Sequence, residues 1–144
     1  ADGLVLFNRF YQPDFDIDKI GITRTLDLSV PAEIRPGLLW LAVLYGRVGA
    51  SLAATTGVET YREVVKYLMA GADVVMTTSS LLRHGPEHLE RLLEGLTDWL
   101  LEHDYSSLDD LRGCMGLNRV PDATAYERAN YIRILEEFEA PEFA

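Results

Sequence analysis

Two short turns hold the residue types best suited to chemistry. Thr55-Thr56-Gly57-Val58 leads into a helical pattern that starts at Thr60, and Thr77-Thr78-Ser79-Ser80-Leu81 leads into a second helical turn. Small residues let backbone N–H groups approach an anion, and hydroxyls add donors. A helix start adds unpaired N–H groups and the positive end of its dipole. Two such turns on neighbouring strands describe a phosphate cradle. The same composition also makes N-capped strand-to-helix turns that hold no ligand, and the residues alone leave both readings open.

The other constellations carry less. His84 and His88 are four apart, the spacing of helical metal sites, but Gly85-Pro86 lies between them and no third ligand is placed, so a solvated helix start is expected and no metal. Asp14, Asp16 and Asp18 alternate like the start of a calcium loop. Lys19-Ile20-Gly21 follows, and Thr25 stands at the twelfth position in place of Glu, so an EF-hand is rejected and a surface loop expected. Cys114 reads as a semi-buried, unreactive thiol. Glu136, Glu137, Glu139 and Glu142 read as a solvated acidic tail. No residue is assigned as catalytic.

The turns must be positioned by strands and helices. Gly3–Phe7, Ala50–Ala54 and Asp73–Met76 are short apolar runs, each ending in small or polar residues. Runs without polar alternation fit parallel strands buried on both faces, and open α/β sheets and barrels place ligands at the C-terminal strand ends. Tyr61, Val64, Val65, Leu68 and Met69 form a helical stripe that Gly71 stops, completing a βαβ unit. Pro86 opens a further helix with a stripe of Leu89, Leu92, Leu93, Leu96 and Leu100. Ser107 with Asp110 caps a short helix that Gly113 closes. Pro121-Asp122 starts a last one, with Tyr131, Ile134, Leu135 and Phe138 on one face. Arg35–Arg47 is helical and apolar nearly all round, which predicts burial or a partner. Between Tyr11 and Pro36 neither period fits well; Ile20–Val30 alternates loosely, as an arm outside the sheet would.

Composition limits the partners. The 144 residues carry 13 Lys plus Arg against 23 Asp plus Glu, a formal charge of −10 with pI near 4.6. That balance argues against nucleic acid and against an anionic membrane surface. An apolar fraction of 48% is too rich for a disordered acidic chain. The longest apolar run, Leu38 to Tyr45, is far short of the ~20 residues of a membrane span. One cysteine and no signal-peptide pattern predict a reducing, cytoplasmic location, and a start at Ala1 predicts an excised or processed piece.

The wording from Ala53 to Thr60, from Tyr67 to Met76 and from Ser79 to Pro86, with Phe7-Asn8-Arg9-Phe10 and Leu111-Arg112-Gly113, resembles the C-terminal part of dihydroorotate dehydrogenases. The resemblance covers nearly all of this chain and less than half of the family's length. It implies an α/β fold: the last three βα units, strands six to eight, of a (β/α)₈ TIM barrel, followed by C-terminal helices. Residues 1–144 then form a single partial domain, with the barrel units in 1–103 and a helical extension in 104–144.

The resemblance further implies FMN as cofactor, its phosphate held at Thr56, Gly57, Thr78 and Ser79, and a pyrimidine substrate contacted by Asn8. Thr56 and Thr78 stand where the family often has glycine, and a Cβ is costly wherever φ is positive. The family's catalytic base and flavin-side lysine come from its N-terminal half, which these residues do not include. The implied function is the FMN-phosphate-binding part of an enzyme that oxidises dihydroorotate to orotate, inactive alone. Three strands cannot close a barrel, so a homo-oligomer through exposed edges is expected. The alternatives are a non-catalytic assembly module that keeps the scaffold without flavin, and an unrelated phosphate-binding half-barrel.

Overall fold

Strand β1 (Gly3–Leu6) runs parallel to β4 (Ser51–Ala54), which runs parallel to β5 (Val74–Val75), in the order β1-β4-β5. These belong to a computed structural model that describes residues 1–126. The last helix and its Tyr131–Phe138 face lie outside the described residues, as does the acidic tail. Between β1 and β4 come a hairpin of β2 (Asp14–Asp16) and β3 (Gly21–Thr23), a 3₁₀ turn (Pro31–Ile34) and α1 (Arg35–Leu44). Helix α2 (Tyr61–Ala70) joins β4 to β5, and α3 (Ser79–His84), α4 (His88–Glu102) and α5 (Leu108–Leu111) follow. The architecture is α/β with a parallel three-stranded sheet. Among the described residues no helix is long and apolar enough to cross a membrane.

Local chemistry sets the helix ends. Thr60 caps α2 by accepting from the Arg62 amide, while Glu63 reaches back to the Thr60 amide at 2.8 Å. Gly71, at φ +112°, ends that helix. Ser107 caps α5 through the Asp110 amide at 3.2 Å. Helix α1 stops at Leu44, short of Arg47, because Gly46 at φ +72° turns the chain.

Register divides the sheet into two unlike faces. Leu6, Ala54 and Val75 lie side by side beneath α1 and α2, and Leu6 and Ala54 are buried. Val5, Ala53 and Val74 form the neighbouring row and point the other way, with Val5 55% and Val74 54% exposed. Burial on both faces, expected from the apolar runs, is therefore corrected: the helices pack on one face, and among the described residues nothing covers the other.

The Asp14–Asp18 surface loop is likewise corrected to a hairpin. Asp14 pairs with Thr23 and Phe15 with Ile22, and the Asp16 carboxylate closes the turn by accepting from the Asp18 and Lys19 amides, each at 3.0 Å. This hairpin lies outside the main sheet and leaves Phe15, Ile17, Ile20 and Ile22 exposed.

Two clusters make the core. Leu6, Leu41, Leu52 and Tyr67 anchor the one between sheet and helices, and Val65, Leu68, Leu96 and Leu111 join α2 to α4 and α5. The chain after α4 returns to the helix ends: Gly113 N donates to Leu68 O, Met115 N to Met69 O and Leu117 N to Ala42 O, each at 2.9 Å. Tyr45 fills the space left by Gly71, Gly113 and Gly116, so that these glycines read as close approaches to an aromatic ring.

Candidate functional site

All three parallel strands end on the same side, and the residues that follow them meet there. Asn8 after β1, Thr56 and Gly57 after β4, and Thr78 and Ser79 after β5 line one cavity of about 230 Å³. A second cavity, of about 410 Å³, shares Asn8, Arg9, Thr55 and Thr56 with the first and extends past Phe10, Arg35 and Tyr67.

The β4 turn is held from below. Tyr67, wholly buried on α2, aims its hydroxyl at the Thr55 and Thr56 carbonyls, at 3.1 and 2.9 Å. Burial, and to a smaller degree the Glu63 charge, push its phenol up to about 12, so it remains a donor. Gly37 on α1 lets the ring pack this deep, since a Cβ there would sit 3.1 Å from it.

The two threonines differ. Thr56 has φ +82°, the left-handed conformation glycine takes easily, and adopts it while its hydroxyl donates to the Phe7 carbonyl at 2.9 Å. Thr78 has φ −128°, which any residue accepts. Gly57, at φ +73°, is required on two counts, because a Cβ there would lie 2.8 Å from both Val30 O and a methyl of Ile34.

That last contact exposes what the sequence reading missed. Residues 26–30 form a strap across the turns. Ser29, 8% exposed, accepts from the Gly57 amide at 3.1 Å, and its hydroxyl lies 2.9 Å from that of Ser79, which also accepts from the Ser29 amide at 3.2 Å. The Gly57 amide, the leading donor of the expected cradle, thus already has a partner. Thr77 donates to Val58 O at 3.0 Å and lies 2.8 Å from the Ser80 hydroxyl, which can donate to it, while Thr78 is exposed and its hydroxyl has no partner among the described residues. The Asn8 side-chain oxygen accepts from the Arg9 amide at 2.9 Å, and its nitrogen has no partner among the described residues. Pro31 offers the one sequence signal for the strap, because it forces Val30 into extended backbone (φ −120°, ψ 159°) ahead of a helix start.

The histidines meet a carboxylate. His84 Nε2 lies 2.5 Å from Glu59 Oε1, His88 Nε2 lies 2.8 Å from the Glu59 carbonyl, and Arg83 donates to Glu59 Oε2 at 2.6 Å. Burial pushes the Glu59 carboxyl up, but hydrogen bonds from His84 and Arg83 and the charge of Arg83 outweigh it and hold it below the ordinary value. Among the described residues no three His, Cys, Asp or Glu side chains are placed to hold a metal ion. Cys114 is half-buried near Tyr105, away from the strand ends.

The turns offer the hydroxyls of Thr78 and Ser79 at the strand ends, whereas the Cβ that Gly57 lacks would collide with the chain's own Val30 and Ile34. The cavity of about 230 Å³ is by itself smaller than the ~300–1,000 Å³ of sites that enclose a cofactor-sized ligand, but the adjoining one of about 410 Å³, which shares four of its lining residues, falls within that range.

No family model matches the chain. The "Putative dihydroorotate dehydrogenase A (fumarate)" of Aeropyrum pernix is 31% identical over 70 residues, covering 49% of this chain and 23% of that protein. The protein of the same name from Streptococcus equi is 34% identical over 71 residues, 48% of this chain and 23% of its own length. Arabidopsis thaliana dihydropyrimidine dehydrogenase (NADP(+)), chloroplastic, is 29% identical over 63 residues, 44% of this chain and 15% of that one. Among solved structures, DHODH from Eimeria tenella in complex with ferulenol superposes with a TM-score of 0.64 at 22% identity, over 83% of this chain and 32% of that one. The structural likeness shows a shared fold, and the sequence matches tie the chain to proteins named dihydroorotate dehydrogenase. The chain spans about a quarter or less of the curated relatives it matches.

Proposed function

We propose that this chain is the C-terminal, flavin-phosphate-binding part of a dihydroorotate dehydrogenase-like protein: three βα units of a TIM barrel in residues 1–103, with a helical extension in 104–144. One observation carries the reading. Asn8, Thr56, Gly57, Thr78 and Ser79, from three separate turns, line one cavity at the C-terminal ends of adjacent parallel strands, where barrels place phosphates. Thr56, Gly57, Thr78 and Ser79 would hold the phosphate of FMN, and Asn8 would face a pyrimidine substrate. FMN, when bound, supplies hydride acceptance for the oxidation of dihydroorotate to orotate. This chain contributes grip and orientation to that reaction. No side chain at the cavity is placed as its base, so the chain alone does not turn over. Without the rest of a barrel it pairs with itself along the edges of β1 and β5.

A second reading is favoured by the Ser29 hydroxyl. It already satisfies the Gly57 amide, so the turns close without a ligand, as an assembly module that keeps the scaffold without flavin would need. Titration of the purified chain with FMN and with riboflavin, followed by flavin fluorescence quenching, separates the two. Binding of FMN at least about tenfold tighter than riboflavin, a difference of ~1.4 kcal/mol at the phosphate, supports the phosphate grip. Equal affinities, or no binding of either, overturn it in favour of the module.

A further inference from the structure

The strap that covers the turns is held by a residue outside the cavity. Arg83, on α3, donates from one guanidinium nitrogen to both the Leu28 and Ser29 carbonyls, at 3.0 and 2.9 Å, and from the other to Glu59 Oε2 at 2.6 Å. Its side chain is 28% exposed and that of Glu59 is 22% exposed, so neither contact is a loose surface pair. The planar guanidinium meets the two carbonyls from one nitrogen and the carboxylate from another, a fixed spread of donors that the single nitrogen of a lysine does not match.

We propose that Arg83, oriented by Glu59, is a positioning residue for the anion site: it sets the Leu28–Ser29 backbone and thereby the Ser29 hydroxyl over the Gly57 amide and Ser79. The chain of contact is short. Glu59 precedes α2 and Arg83 lies in α3, so their pair spans the segments that follow the β4 and β5 turns. Arg83 then ties both to the strap. Other holds on the strap are the Ser29 amide on the Ser79 hydroxyl at 3.2 Å, Arg9 on the Asp27 carbonyl, and Glu33, which accepts the Val30 amide at 2.7 Å. Among the described residues Arg83 is the donor that meets the carbonyls of Leu28 and Ser29. An anion entering the turns has to take the Gly57 amide from the Ser29 hydroxyl. With the backbone pinned, that exchange needs a side-chain rotation, and the strap stays as a wall. Without Arg83 the strap leaves with its hydroxyl.

This inference rests on the phosphate-binding reading, and its test keeps the two apart. The full chain and its R83Q, R83K and E59Q variants are titrated with FMN and riboflavin, and backbone hydrogen exchange over residues 26–30 is measured without ligand. Loss of hydrogen bonds to a charged group predicts FMN affinity about tenfold weaker in R83Q, with riboflavin affinity unchanged and faster strap exchange. R83K restores less than half of either effect, and E59Q shows both in smaller degree. Unchanged strap exchange in R83Q overturns the proposal, as does unchanged or tighter FMN binding. If the parent chain fails to prefer FMN over riboflavin, the phosphate reading falls, and the exchange measurement alone decides whether Arg83 holds the strap.

Discussion

Thr56 offers a direct test of how a glycine-like turn is built without glycine. At φ +82° a β-branched residue carries a penalty of about 1–2 kcal/mol. The bond from its hydroxyl to Phe7 O, at 2.9 Å, returns about 0.5–1.5 kcal/mol. Thr56→Gly removes the strain, forfeits that bond and adds unfolded-state freedom of about 0.5–1 kcal/mol, so the terms nearly cancel and stability stays within ~1 kcal/mol of the parent. Thr56→Val keeps the branched Cβ and the positive φ but leaves the Phe7 carbonyl without its donor, which costs about 1–3 kcal/mol. The valine variant is therefore the less stable of the two. Urea unfolding followed by tryptophan fluorescence reads the difference, since Trp99 packs beside the α2–α4 cluster. In thermal unfolding each 1 kcal/mol corresponds to about 3–6 °C at this chain length. If valine proves as stable as threonine, or if glycine loses as much as valine, the hydroxyl does not offset the strain and the argument fails.

Two further outcomes follow from the same neighbourhood. Tyr67→Phe keeps the buried ring but strips the donor from the Thr55 and Thr56 carbonyls, at 3.1 and 2.9 Å, and lowers stability by about 1–2 kcal/mol in scanning calorimetry; a melting point unchanged within error would mean the turn is held otherwise. Glu59 has a folded pKa below its ordinary 4.5, so its contribution to stability is fully present above 4.5 and is lost as pH falls through the folded value. The stability advantage of the parent over E59Q in urea therefore holds above 4.5 and shrinks as pH falls from there through the folded value, and an advantage that stayed constant into strong acid would contradict the depressed pKa.

The regular elements were legible because their signals are local. The apolar stripe from Tyr61 to Met69, a start at Thr60 and the Gly71 stop together define α2, and the structure agrees to within a residue, with Thr60 as its cap. The parallel pairing around α2 and the meeting of the two hydroxyl turns were legible because strand-to-helix turns share one end of a parallel sheet, whereas the place of β1 and of Asn8 beside them was expected only from the family resemblance. The strap was not legible. Its Ser29 side chain matters through partners 28 and 50 positions away, Gly57 and Ser79, and no periodicity encodes a pairing at that distance. Arg83 was hidden for the same reason, since its carbonyl partners lie 54 and 55 positions back. An exposed apolar wall was expected from three strands that cannot close a barrel, and Val5 and Val74 are exposed as that expects; the apolar runs themselves read alike whether the second face is covered by their own chain or by another.

That uncovered face bears on what the site can be. Val5, Val74 and Met76 are 55%, 54% and 46% exposed, and full burial of such a side chain is worth about 1.5–3 kcal/mol. Half-exposed, the three together forgo several kcal/mol, a large share of the ~5–15 kcal/mol net stability of an ordinary domain. All-parallel sheets are found almost only with both faces covered, and among the described residues nothing covers the row of Val5, Ala53 and Val74. The cavities of about 230 and 410 Å³ lie at the ends of these same strands, so protein closing over Val5, Ala53 and Val74 would also stand beside them. The interior of the proposed barrel would be one such covering, since in a closed barrel every strand turns one row of side chains inward.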